Sequence, residues 1–176
     1  MDITQLILDD HAEQRRLFAI LEQIDDADTG SLAAVWDRLS TFLEVHAEAE
    51  ERHFYPALLE WGRGADGKKS PEAETVDAIE DHNELRDAVA AVAGLKVGGA
   101  AWRKAVAKAN HANSDHMGEE ERQGLTDFRL RAPLQLRHDL AVQFAVFEAE
   151  HIKGVRPVDK DPKAYVAQHG GDPQRA

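Results

Sequence analysis

His46-Ala47-Glu48-Ala49-Glu50-Glu51-Arg52 reads H-x-x-x-E-E-R, and the chain writes that pattern again as His116-Met117-Gly118-Glu119-Glu120-Glu121-Arg122. Residues four apart lie on one face of a helix. His46 with Glu50, and His116 with Glu120, therefore each present an imidazole and a carboxylate side by side. Further out, Asp10-His11-Ala12-Glu13-Gln14-Arg15 reads D-H-x-E-x-R, as does Asp81-His82-Asn83-Glu84-Leu85-Arg86. His46 follows His11 by 35 residues, and His116 follows His82 by 34. Repeats of this period report a repeated supersecondary unit. The unit is a helix carrying one His, a turn, and a helix carrying His and Glu; two units predict four helices.

Ionisable groups on the core stripe of a helix are costly unless something pairs them. Imidazole nitrogen with carboxylate oxygen is a donor set for iron, manganese or zinc. One shared metal centre built from His11, His46, Glu50, His82, His116 and Glu120 accounts for all six residues with one cause. The alternative is a metal-free structural bundle, in which six buried ionisable groups lack a partner.

The composition narrows the class. A chain of 176 residues, 43% hydrophobic and 31% charged, suits one soluble helical domain with its own core. The net charge of −12 argues against nucleic-acid or anionic-membrane surfaces, where basic patches do the binding. With no cysteine, disulfides, thiolate zinc sites, iron–sulfur clusters and thiol catalysis are excluded from this chain. Asp2, Asp9 and Asp10 are incompatible with a signal peptide, and no apolar run reaches membrane-spanning length, so a cytoplasmic protein is expected. No G-x-S-x-G, P-loop or G-x-G-x-x-G supports a hydrolase, kinase or dinucleotide reading.

In chain order, Ile3, Ile7, His11, Gln14, Phe18 and Leu21 mark an amphipathic helix over about residues 2–25. Ser31 is placed to cap the second helix. There Leu32, Leu39, His46 and His53 form one row at seven-residue steps, and Trp36, Leu43, Glu50 and Ala57 the next. Pro56 is expected to kink or tighten the end of that helix. Gly62 to Lys69 reads as a flexible loop, and Ser70-Pro71-Glu72 as a helix start. The third helix carries Ile79, His82 and Leu85 and ends at Gly94 or Gly98-Gly99. The fourth carries Trp102, Val106, Asn113, His116 and Glu120 and is closed by Gly124. Leu39, Leu43, Trp102 and Val106 are expected to wall the centre from solvent. Pro133 opens a fifth helix to about His151. After Gly154, with Pro157, Pro162, Gly170-Gly171 and Pro173, an irregular tail is expected. The domain reading is a four-helix bundle over residues 1–125, with residues 126–176 packed on it as a C-terminal helix and tail.

The ordered set His, H-x-x-x-E, His, H-x-x-x-E resembles the hemerythrin-like (HHE cation-binding) family over about residues 5–125. The run Phe54-Tyr55-Pro56-Ala57-Leu58 is similar to the aromatic-Pro run found there. The resemblance implies an antiparallel four-helix bundle around a non-haem di-iron centre with an oxo or hydroxo bridge. His11, His46, His82 and His116 would be terminal ligands, and Glu50 and Glu120 bridging carboxylates. Oxygen-carrying members have a second His at the position of Arg86 and an Asp at that of Glu121. The chain thus resembles the more symmetric variant with fewer histidines. That shifts the expectation from O2 storage toward binding or redox processing of O2, peroxide or NO, with an electron donor not specified by the sequence. Two alternatives stand beside it: a non-enzymatic O2 or iron carrier, store or sensor, and a di-iron oxygenase with an organic substrate, whose pocket would need residues 124–176.

Outside the six, His53 lies one turn beyond Glu50 and is a candidate ligand, a donor behind the ligands, or a rim residue. His111, five residues before His116, should face solvent. His138, His151 and His169 lie outside the repeat, although Phe147-Glu148-Ala149-Glu150-His151 offers a further cluster. Glu51-Arg52 and Glu121-Arg122 repeat as well, and offer either ion pairs behind the ligands or between helices with Arg15 and Arg86, or solvent-exposed pairs. Tyr55 reads as bundle packing that can also tune access to the centre.

Overall fold

The structure, a computed structural model, describes residues 1–65 and 69–170. It is all-helical among those residues, and its frame is a bundle of four helices. The first is α1 (Ile3–Gln23). The second is compound: α2 (Thr29–Ala49), a π-helical turn (Glu50–Phe54) and α3 (Tyr55–Trp61). The third is α4 (Pro71–Ala90) and the fourth α5 (Ala100–Arg122). Three more follow: α6 (Gly124–Arg131), α7 (Leu134–Glu150) and α8 (Pro162–His169). No described helix is long and apolar enough to cross a membrane.

The periodic stripes set the bundle. Ile3, Ile7, His11, Gln14, Phe18 and Leu21 are all buried on α1, and Leu32, Trp36, Leu39, Leu43, His46 and Glu50 on the second helix. Apolar side chains gather in two clusters. One holds Leu17, Leu21, Leu32, Trp36, Leu39, Leu43, Trp102 and Val106 toward one end of the bundle. The other holds Ile3, Ile7, Phe54, Tyr55, Leu58, Phe128, Phe144 and Phe147 toward the other. The repeated His and Glu residues form a polar layer between them. The four expected wall residues, Leu39, Leu43, Trp102 and Val106, all lie in the first cluster.

Helix ends follow local chemistry, with corrections to the sequence reading. Ser31 does not cap the second helix. Asp28 does, its Oδ1 accepting from the Ser31 N–H at 3.1 Å, because the helix starts at Thr29 and Ser31 already lies inside its first turn. Ser70 and Pro71 do start α4, with Ser70 Oγ accepting from the Ala73 N–H at 3.2 Å. The third helix ends at Ala90, ahead of Gly94, and turns of the chain continue through the left-handed Gly94. Gly98 has φ +75°, and a Cβ there would lie 2.2 Å from the Asp26 carbonyl oxygen. Only glycine lets this link cross the α1–α2 turn. Arg103 closes the same corner by donating to the carbonyls of Leu21 (2.6 Å) and Ile24 (2.7 Å).

Three elements differ from expectation. Gly124 begins α6 instead of closing α5; the break is at Gln123 (φ −115°, ψ −78°). Pro56 neither tightens nor simply kinks its helix. The backbone widens ahead of it, and the Tyr55 N–H reaches back five residues to the Glu50 carbonyl. In that register the next N–H would take the Glu51 carbonyl, and Pro56 has none to give. The Tyr165 hydroxyl donates to that carbonyl instead. The tail is correspondingly not irregular throughout. Asp161 caps α8 by accepting from the Ala164 N–H at 2.7 Å, and Pro162 stands in its first turn. Of the other tail and loop readings, residues 66–68 and Gly171 and Pro173 lie outside the described residues.

Candidate metal centre

Glu50 lies at the middle of the polar layer and is 0% exposed. Its Oε1 faces one pair of histidines, His46 Nε2 at 2.9 Å and His11 Nε2 at 3.8 Å. Its Oε2 faces the other pair, His82 Nε2 at 3.2 Å and His116 Nε2 at 3.8 Å. Glu120 enters from α5 with Oε2 3.4 Å from His11 Nε2. The Tyr55 hydroxyl donates to Glu120 Oε1 at 2.6 Å. The structure thus gathers all six repeat residues into one buried layer. Among the six, two triads have donor atoms close enough to hold a metal ion, His11–His46–Glu50 and Glu50–His82–His116; Glu50 belongs to both and Glu120 to neither.

Each imidazole is turned inward by a carboxylate on its other nitrogen. His11 Nδ1 meets Glu121 at 2.9 Å, and His82 Nδ1 meets Glu51 at 2.7 Å. His46 Nδ1 meets Asp10 at 3.2 Å, and His116 Nδ1 lies 3.5 Å from Asp81. The two repeats exchange partners in a two-fold pattern. The D of each D-H serves the His of the same unit's second helix, and the second E of each E-E serves the lone His of the other unit. Such carboxylate–imidazole pairs fix the tautomer and raise the basicity of the inward nitrogen. Sequence reasoning missed Asp10 and Asp81 as partners. The D-H doublets were visible, but adjacent helical residues point apart, so their targets lie on neighbouring helices.

The outer carboxylates are not held alike. Glu121 is held by Arg15 at 2.7 Å at the edge of solvent. Glu51 is sealed in, held by Arg86 at 2.8 Å and by Lys160 Nζ. Lys160 also reaches Glu48 at 2.7 Å, and its backbone is clamped by Asn83, which donates to the Lys160 carbonyl at 2.8 Å and accepts from its N–H at 3.1 Å. Of the alternatives the sequence left open, Arg15 and Arg86 do pair between helices, Arg15 with Glu121 and Arg86 with Glu51. The addition of Lys160 and Tyr165 carried no sequence signal beyond the Asp161-Pro162 helix start.

Charge is concentrated in the layer. Burial opposes protonation of His11, but Glu120, Glu121 and Glu50 outweigh it and raise the imidazole to about 9. Burial likewise opposes a charge on His116, and Asp81, Glu50 and Glu120 raise it to about 10. Burial works against ionised Glu51, yet His82, Arg86 and Lys160 hold it down at about 2. Burial, then the charges of Glu120 and Glu50, push the Tyr55 phenol well above its usual range, so it remains a donor.

The remaining histidines are elsewhere. His53 is half-buried against Phe147, ring centroids 5.9 Å apart, and is not drawn into either triad. The π-turn between Glu50 and His53 is the reason: it breaks the spacing that would keep them on one face. His111 is exposed and pairs with Asp115 at 3.2 Å. His138 is exposed near the Met1 carbonyl, His151 stacks on Phe147, and His169 caps the end of α8 beside Tyr165. From the Phe147–His151 run only Glu148 joins a cluster, facing Asp10 and His46.

These residues fit a metal. His11 Nε2, His46 Nε2, both oxygens of Glu50 and Glu120 Oε2 are buried and make no hydrogen bond among the described residues. Buried polar atoms are normally satisfied, and five convergent exceptions are what a cation between them would satisfy. Fold and site together define a helical bundle whose His/Glu clusters can hold metal cations. The family model of the hemerythrin HHE cation-binding domain matches residues 2–125, and the chain belongs to that family. Searches of curated proteins and of solved structures gave no match.

Proposed function

We propose that the layer holds a pair of iron ions and that the protein binds or redox-processes a small oxygen or nitrogen species: O2, peroxide or NO. The observation that carries this reading is Glu50, which turns one carboxylate oxygen to each histidine pair. His11 and His46 would serve one ion and His82 and His116 the other, with Glu50 between them and Glu120 joining from the His11 side. Manganese or zinc would accept the same donors. An iron pair held there supplies reversible one-electron changes at two adjacent ions.

The chain supplies the rest. Glu51, Glu121, Asp10 and Asp81 hold the imidazoles with Nε2 inward. Tyr55 O–H fixes one oxygen of Glu120 and leaves the other directed at the centre. The two apolar clusters exclude bulk water. A small ligand is favoured over an organic substrate because the residues an organic pocket would need are packed away: Phe144 and Phe147 of α7 are buried in the core, and Tyr165 of α8 is spent on Glu51. Redox turnover would need an electron donor, which the reading leaves open. The absence of cysteine suits a reducing, cytoplasmic setting.

The test is to reduce the iron-loaded protein anaerobically, add peroxide or NO, and follow turnover and the iron optical bands. Catalytic consumption that is lost in Glu50→Gln supports redox processing. Stoichiometric, reversible binding with no consumption assigns the protein to the carriers or sensors instead.

A further inference from the structure

A narrow groove on the α4–α5 face leads from solvent toward the layer and is pinched too tight in this structure to pass a water molecule. Glu74, Asp77, Asp81 and Glu119 line its walls, and His116 and Glu120 lie at its inner end. Side-chain exposure falls along it, from 47% at Asp77 and 46% at Glu119 to 8% at Glu74 and 4% at His116. Among the described residues one ammonium stands against its acidic walls. Lys69 Nζ lies 2.5 Å from Asp77 Oδ2, 3.3 Å from Glu119 Oε2 and 3.4 Å from Glu74 Oε2. Two buried oxygens of the groove, Glu74 Oε2 and Glu120 Oε2, make no hydrogen bond among the described residues, and their residues are only 6% and 2% exposed.

Three carboxylates face the Lys69 ammonium and Asp81 faces His116, so among the described residues acidic groups outnumber basic ones on the way to two residues of the centre. A field of this kind raises the local concentration of cations and their rate of arrival. The oxygens around Lys69 are the hard donors a divalent ion takes while still partly hydrated. An ion that displaces the ammonium then meets Glu74, and beyond it Glu120 and His116.

We propose that this groove is the inlet by which divalent metal ions load the centre, and that Lys69 is a tethered cation that each incoming ion must displace. The proposal rests on the metal-centre reading above and adds to it a route and a gate.

The test uses the metal-free full chain and cobalt(II), whose visible absorption reports its coordination, in stopped flow at low ionic strength. Lys69→Gln should load about tenfold faster, and the double variant Asp77→Asn/Glu119→Gln about tenfold slower. Asp37→Asn, exposed on the second helix, should load at the wild-type rate. All should reach the same final cobalt content. Equal rates across the set, with full loading, would overturn the inlet and leave the centre standing. Slowing by Glu148→Gln, and not by the α4–α5 double variant, would place the route on the α7 side and overturn it as well. No uptake by the wild-type chain would overturn the centre itself and the inlet with it.

Discussion

At the scale of single residues, the members of the polar layer were legible from the repeat, and one of their contacts from spacing along a single helix. His46–Glu50 follows from four-residue spacing, and the repeat supplied His11, His82, His116 and Glu120, although Glu120 turns to His11 and Tyr55, and His116 to Glu50. What the spacing did not contain is which carboxylate backs which imidazole, because Asp10–His46 and Glu51–His82 are contacts between helices. His53 shows the limit from the other side: it has the right spacing, but the backbone between it and Glu50 is not α-helical. Two predictions belong here. In the metal-free protein His11 and His116 are raised to about 9 and about 10, above the ordinary 6.5 of an unfolded chain. Their contribution to stability is therefore complete below about pH 6.5 and disappears as pH rises through 9 to 10. Metal ions compete with the same protons, so uptake should release protons and tighten with pH across that window. Thermal unfolding from pH 6 to 10 should show the metal-free protein weakening while the loaded protein holds. A metal-free protein equally stable at pH 6.5 and 10 would contradict this. The second prediction concerns Tyr55→Phe, which leaves Glu120 Oε1 without its donor in a buried setting. It should cost about 1–3 kcal/mol in urea unfolding of the metal-free chain, with the helix content retained.

At the scale of elements, the four core helices could be read from periodicity, and α4 even from its Ser70-Pro71 start. The π-turn could not. Its only sequence trace was Pro56, which signals a missing N–H and not how the helix adapts. Nor was α8 read, although Asp161-Pro162 is a cap followed by a first-turn proline; eight residues carry too weak a stripe for periodicity to find. These two elements explain each other, since Pro56 leaves the Glu51 carbonyl free and Tyr165 takes it. Tyr165→Phe should therefore destabilise the protein, and Pro56→Ala, which returns an N–H to the turn, should make that loss smaller. A double-mutant cycle by urea unfolding measures the coupling; strict additivity would show that the hydroxyl does not stand in for the lost N–H. Lys160→Met, which strips a cation from buried Glu51, should cost about 1–3 kcal/mol. Lys160→Arg should recover most of it.

For the whole molecule, the two apolar clusters do for the layer what neither repeat unit does alone. Each unit brings two histidines and one glutamate, and only their association encloses Glu50 between four imidazoles. The segment beyond residue 125 was expected to pack on the bundle, and its helices do contact α1, α2 and α4. Its particular contacts, Lys160 and Tyr165 on Glu51, were not visible in a stretch rich in proline and glycine. They make the two sides of a nearly symmetric centre unequal, one backed by a sealed carboxylate and the other by one at the edge of solvent.

The central claim is that six residues from two repeats hold a pair of metal ions about a shared glutamate. Elemental analysis of the purified chain beside His46→Ala, His116→Ala and Glu50→Gln tests it most directly. The account predicts about two ions per chain in the wild type, less than about one in each histidine variant, and loss of the pair in Glu50→Gln, with circular dichroism showing all three still helical. A wild-type chain that stays metal-free after reconstitution, or variants that keep the full complement, would contradict it.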